Sequence, residues 1–115
     1  MRYLMLVLTT PDDPADATGD VPDIEEWVAR HDSSGARVLG ERLRPSADAV
    51  GVRVRGGKVL VTDGPFSETK EAIGGFDIID APDLDEAISI AAGHPMAYGG
   101  AIELRPFWPF EDGGQ

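Results

Sequence analysis

An α+β fold, with two helices laid on one face of a sheet, is predicted by three observations. Residues 2–9 are apolar at nearly every position, which suits a central strand. Two later stretches have helical spacing and begin alike, as Pro22-Asp23-Ile24-Glu25-Glu26 and Pro82-Asp83-Leu84-Asp85-Glu86. Between them, two short strands meet at Gly56-Gly57.

Each element follows from its own residues. Residues 10–22 hold three prolines, four aspartates and a glycine, and read as a solvated loop. Asp23 is a helix N-cap with Glu26 three residues later, the spacing of a capping box. Ile24, Trp27, Val28 and His31 then share one helix face, and Gly35 stops the helix. Arg37 to Leu43 makes the second strand, closed by Pro45. Val50, Val52 and Val54 alternate with Gly51, Arg53 and Arg55, as in a half-buried strand, and Lys58 to Thr62 returns beside it. Gly75 to Asp80 is the next strand. Asp83 caps a second helix whose buried face is Leu84, Ala87, Ile88 and Ala91, ended by Gly93. Ala101 to Arg105 is the last strand. The two helix starts echo each other because each needs the same cap; a duplicated βαβ unit is the sharper alternative.

The order βαβ, β-hairpin, βαβ predicts a ferredoxin-like fold with both helices on one sheet face. The first strand is apolar on both sides, so the open face also needs cover. Pairing with a second copy, sheet to sheet, is the expected solution.

Bulk properties narrow the function. The 115 residues make one domain, 1–115, with 106–115 as a loosely ordered tail whose Phe107, Trp108 and Phe110 dock onto the body or a partner. Ten basic residues against twenty-one acidic ones give a net charge of −11, which disfavours nucleic acid and anionic membranes. No cysteine is present, so disulfide and thiolate chemistry are excluded. The first apolar run is too short to span a bilayer and lacks the features of a signal peptide, which points to a cytoplasmic location. Two histidines sixty-three positions apart offer no metal-ligand spacing, and neither a phosphate-binding glycine loop nor a G-x-S-x-G motif occurs. No metal and no organic cofactor are expected.

The segment between the hairpin and the next strand is the most distinctive. Val59-Leu60-Val61 ends in Thr62-Asp63-Gly64-Pro65-Phe66, where Gly64 and Pro65 impose an abrupt exit from the strand. With Glu68-Thr69-Lys70-Glu71 and Gly74-Gly75-Phe76, this run resembles the signature of the DGPF branch of the YCII-related (YciI-like) family. Gly40-Glu41, His94-Pro95 and Ile102-Glu103-Leu104-Arg105-Pro106-Phe107 extend the resemblance, and Tyr3-Leu4-Met5-Leu6 suits the family's first strand. The resemblance implies a dimeric α/β barrel with a cleft near the subunit interface. It implies proton-transfer chemistry of isomerase or elimination type on a small molecule, or else an accessory role beside an extracytoplasmic-function sigma factor. Whether the chain is an enzyme stays open at this point. The acid–base pair of the founding branch does not carry over: its early histidine falls near Asp23, and its aspartate is replaced by His94.

Five residues are candidates for the cleft. His94 titrates near neutrality and is the candidate proton carrier, unless it only faces the negative end of the preceding helix. Asp63 orients a ligand or acts as base, unless it only caps its own turn. Phe66 walls off water. Glu41 and Glu103 project from strands; Glu103 looks into the cleft between two copies with Arg105, with which it can simply pair. Asp77, between Phe76 and Ile78, raises the same question. His31 reads as a packed helix-face histidine.

Overall fold

A computed structural model describes residues 1–9, 21–64 and 72–109. In chain order these form β1 (Arg2–Thr9), α1 (Ile24–Ser34), β2 (Arg37–Arg42), a 3-10 turn (Ser46–Asp48), β3 (Val50–Arg55), β4 (Lys58–Asp63), β5 (Ala72–Asp80), α2 (Leu84–Ala92), α3 (Met96–Gly99) and β6 (Ala101–Pro106). The expected strands and both main helices are present, within a few residues at each end. The four-residue α3 and the 3-10 turn are additions, each too short to show a periodic pattern.

The caps work as the sequence predicts. The Asp23 side chain accepts from the Glu25 N–H at 3.1 Å, and Asp83 accepts from the Glu86 N–H at 2.9 Å. Gly35 ends α1 in the left-handed region, at φ 80°. Gly56 and Gly57 both have positive φ, the backbone that a two-residue hairpin requires.

Four strands form one sheet in the order β2-β5-β1-β6, with every neighbouring pair antiparallel. This α+β arrangement is compatible with the ferredoxin-like topology. Alternation sorts the side chains: Tyr3, Met5, Val7 and Ile79 are buried in one core with Trp27 of α1 and Ala87, Ile90 and Ala91 of α2. Leu4, Leu6 and Leu8 point the other way and are only half-buried. A register shift at Val7/Leu8 leaves Gly74 as an extra residue in β5, beside the site described below.

The β3–β4 hairpin pairs with itself alone, as a separate two-stranded sheet. Val50, Val52, Val54, Val59 and Val61 share one of its faces and are 57–66% exposed. The sequence reading had these strands half-buried. A lone ribbon has no second layer to bury them against.

Gly40 is fixed by what faces it. A Cβ there would collide with the Asp77 carboxylate and the Arg37 guanidinium. Gly40→Ala is therefore expected to lower stability by about 2 kcal/mol or more, by displacing that pair. Denaturant unfolding of the two proteins checks this, with a surface control such as Ser46→Ala staying within about 0.5 kcal/mol of the parent.

Candidate functional site

A cavity of about 610 Å³ opens between α1 and the sheet. That is a size typical of small-molecule sites, which run to roughly 300–1,000 Å³. Its apolar wall includes Val7 of β1, Trp27 and Val28 of α1, and Met96 of α3. Its polar residues are Thr9 of β1, Arg37, Glu41 and Arg42 of β2, Asp77 of β5 and His94, which lies between α2 and α3. A smaller depression of about 410 Å³ near Met1, Gly35 and Asp80 holds no buried titratable side chain.

Trp27 places His94. The indole is 3% exposed, and its Nε1–H donates to the Ile90 carbonyl at 2.9 Å. That carbonyl lies in the last turn of α2, where it also accepts from the Gly93 N–H at 3.2 Å. The indole thus clamps α1 to the end of α2, and His94 packs edge-on against it at 4.8 Å between ring centres. His31 packs against another part of the same ring, at 5.0 Å. It is a packed helix-face histidine, as its spacing predicts.

The His94 ring is held in one protonation pattern. Its Nδ1 accepts a hydrogen bond from the Met96 N–H at 3.0 Å. Nδ1 therefore carries no proton, and the neutral ring keeps its hydrogen on Nε2. Burial alone pushes the His94 pKa down, which also favours the neutral form. Nε2 has no partner among the described residues, yet no polar side-chain atom there is sealed off without one. It therefore reaches open space, and the cavity is the space this ring lines. The alternative of a charged histidine facing the helix end does not describe this ring.

Asp77 is the second buried polar residue, at 6% exposure. Arg37 holds it: Nε donates to Oδ1 at 2.8 Å, while Nη1 reaches Asp32 at 3.0 Å and Nη2 the Gly40 carbonyl at 3.0 Å. The guanidinium is committed to positioning. Burial raises the Asp77 pKa, and the Arg37 contact only partly offsets it. Oδ2 takes no hydrogen bond from the described residues and, like Nε2 of His94, is not sealed.

Comparisons with known proteins identify the family. A family model for the YCII-related domain matches residues 1–111. The chain belongs to the YCII-related family. It is also 40% identical over 74 residues to an uncharacterized protein of Rhizobium meliloti (strain 1021), a match covering 63% of this chain and 60% of that protein.

The expected site residues of this YCII-related chain divide. His94 and Glu41 line the same cavity. Asp63 does not: it ends β4 opposite Val50 in the separate hairpin, where the Gly64 N–H bonds the Ala49 carbonyl at 2.6 Å. Glu103 lies on the open sheet face beside Leu6, 3.7 Å from Arg105 of its own strand, and lines none of this cavity. Phe66 and Phe110 lie outside the described residues. The cleft was expected between two copies of the chain; the cavity that holds His94 is formed within one chain, on the helix-covered face. Sequence reasoning missed Arg37, and it took Trp27 only for core. The available signal was an aspartate in an otherwise apolar strand with glycine opposite it, since Gly40 pairs with Asp77. Among the described residues no group of three His, Asp or Glu side chains could hold a metal ion, and no helix is long and apolar enough to cross a membrane.

The lowered pKa of His94 has a consequence for stability. Below the ordinary histidine value of about 6.5, the unfolded chain takes up a proton that the folded ring refuses. The unfolded state then binds more protons, so stability is full above that value and falls as the pH drops through it. His31, lowered by burial and by Arg30, acts in the same direction. Chemical denaturation at about pH 7 and about pH 5 is expected to show a smaller loss in His94→Gln than in the parent, with the residual slope carried by His31 and the carboxylates. An equal loss in both proteins contradicts the burial of a neutral ring.

Proposed function

We propose that this protein binds an uncharged small molecule in the cavity beneath α1 and acts on it by acid–base chemistry of isomerase or lyase type. The reading rests on one observation above the rest: the two buried polar residues, His94 and Asp77, line one cavity whose wall is largely apolar. Titratable groups with burial-shifted pKa values that line a cavity are candidates for contact with a ligand. Arg37, Arg42 and Asp77 stand at register positions of the helix-covered face, while Glu41 pairs with Phe76 of the open face.

A homodimer in the manner of a dimeric α/β barrel is part of the proposal. A second copy would cover the open face, where Leu4, Leu6, Phe76 and Ile78 are half-exposed. A second reading, a non-catalytic accessory protein of the DGPF branch working beside a sigma factor, draws on the 69% exposed Trp108 and the uncovered valine face of the hairpin. Cytoplasmic location is proposed under either reading.

The two readings separate in a binding experiment. A panel of small neutral molecules, followed by NMR, is expected to shift the Trp27 indole N–H and the His94 ring, and Val28→Trp is expected to abolish those shifts by filling the cavity. Shifts confined to Trp108 and the hairpin would move the choice to the accessory reading.

A further inference from the structure

The protonation state of the cavity determines which partner each polar group needs. His94 offers a hydrogen at Nε2 and cannot accept one there while Met96 holds Nδ1. Asp77 has the opposite requirement. Its Oδ1 is occupied by Arg37, and its Oδ2 is a free acceptor in a site where burial makes the carboxylate more basic than usual. A ligand completing both must present an acceptor to one group and a removable hydrogen to the other. Much of the wall around them is apolar, with Val7, Trp27, Val28 and Met96.

We propose that the cavity takes an uncharged carbonyl compound, with His94 Nε2–H donating to its oxygen and the Asp77 carboxylate removing a proton from the adjacent carbon. This deepens the acid–base reading above and rests on it, but it assigns the roles differently from what the sequence suggests. His94 is the fixed electrophile and Asp77 is the base. In the step, the C–H bond breaks and its electron pair forms a carbon–carbon double bond. The carbonyl π electrons move to oxygen, where the His94 hydrogen bond stabilises the developing charge. The proton rests on Asp77 Oδ2. Replacement of that proton by one from solvent before return to the same carbon gives exchange, and its return to the far end of a conjugated system gives an isomer. Both routes restore the carboxylate, and neither needs an oxidant, a reductant or a second substrate.

Arg37 is a positioning residue here. With Nε on Asp77, Nη1 on Asp32 and Nη2 on the Gly40 carbonyl, it aims Oδ2 and leaves little of itself for the ligand. A donor and a base fixed before the ligand arrives need no reorganisation during the step.

Cyclohexanone in deuterated buffer is a suitable probe, because deuterium entering beside its carbonyl is read directly by proton NMR. The intact protein is expected to accelerate that exchange over buffer. Asp77→Asn should reduce the acceleration by about 100-fold or more. His94→Leu should cost about 100-fold, while His94→Gln, which keeps an N–H donor, should recover part of it. Glu103→Gln should change nothing. Thermal melts of each variant separate loss of chemistry from loss of fold. Unchanged exchange in folded Asp77→Asn overturns the assignment of the base. Binding of cyclohexanone at Trp27 and His94 without exchange overturns the present inference and leaves the binding reading standing. Absence of any neutral ligand from the cavity removes both.

Discussion

The hydrogen bond from the Trp27 indole to the Ile90 carbonyl is the contact on which the site depends. It is buried, it is 2.9 Å long, and it joins two helices that also pack together in the core through Trp27, Ala87 and Ala91. Because Ile90 lies two residues before the end of α2, the bond fixes where that helix stops relative to α1. The chain then turns through Gly93 and sets His94 against the indole edge. A buried N–H without its acceptor costs about 1–3 kcal/mol, so the helices have a strong reason to keep this register. The same indole is a wall of the cavity. Core packing and site geometry are therefore one arrangement rather than two.

A second constraint meets the first from the sheet side. Asp77 is a carboxylate on the covered face of a central strand, and burying it alone would be prohibitive. Three features make it tolerable. Gly40 leaves space opposite it, Arg37 crosses that space to reach it, and Asp32 at the end of α1 shares the guanidinium. Removing such a group in favour of a packed apolar side chain often leaves a protein as stable or more so. Its presence is thus poorly explained by stability and better explained by what lies above it, an apolar cavity with a histidine on its other side.

Much of the fold was legible because it depends on local rules. Asp23 and Asp83 announce their helices by capping chemistry, Gly35 ends one by adopting positive φ, and Gly56-Gly57 can only be a tight turn. The alternating valines at 50–54 fixed a strand but not its surroundings, since alternation says nothing of whether a second layer exists. The site was only partly legible. His94 was found through a motif, but its ring chemistry depends on the Met96 N–H, set by a four-residue helix that no periodicity reveals. Asp77 and Arg37 stand forty residues apart and meet through a strand register. The expected partnership of His94 with Asp63 came from two motifs close in importance but not in space, and the fold puts the hairpin carrying Asp63 in a different sheet.

The most direct test lies in the His94 ring itself. Long-range proton–nitrogen NMR correlations on histidine-labelled protein at neutral pH distinguish the two ring nitrogens. An unprotonated Nδ1 with a protonated Nε2, persisting below the ordinary histidine pKa, is the pattern that the Met96 bond and the buried setting require. A ring protonated at Nδ1, or an imidazolium at neutral pH, contradicts it.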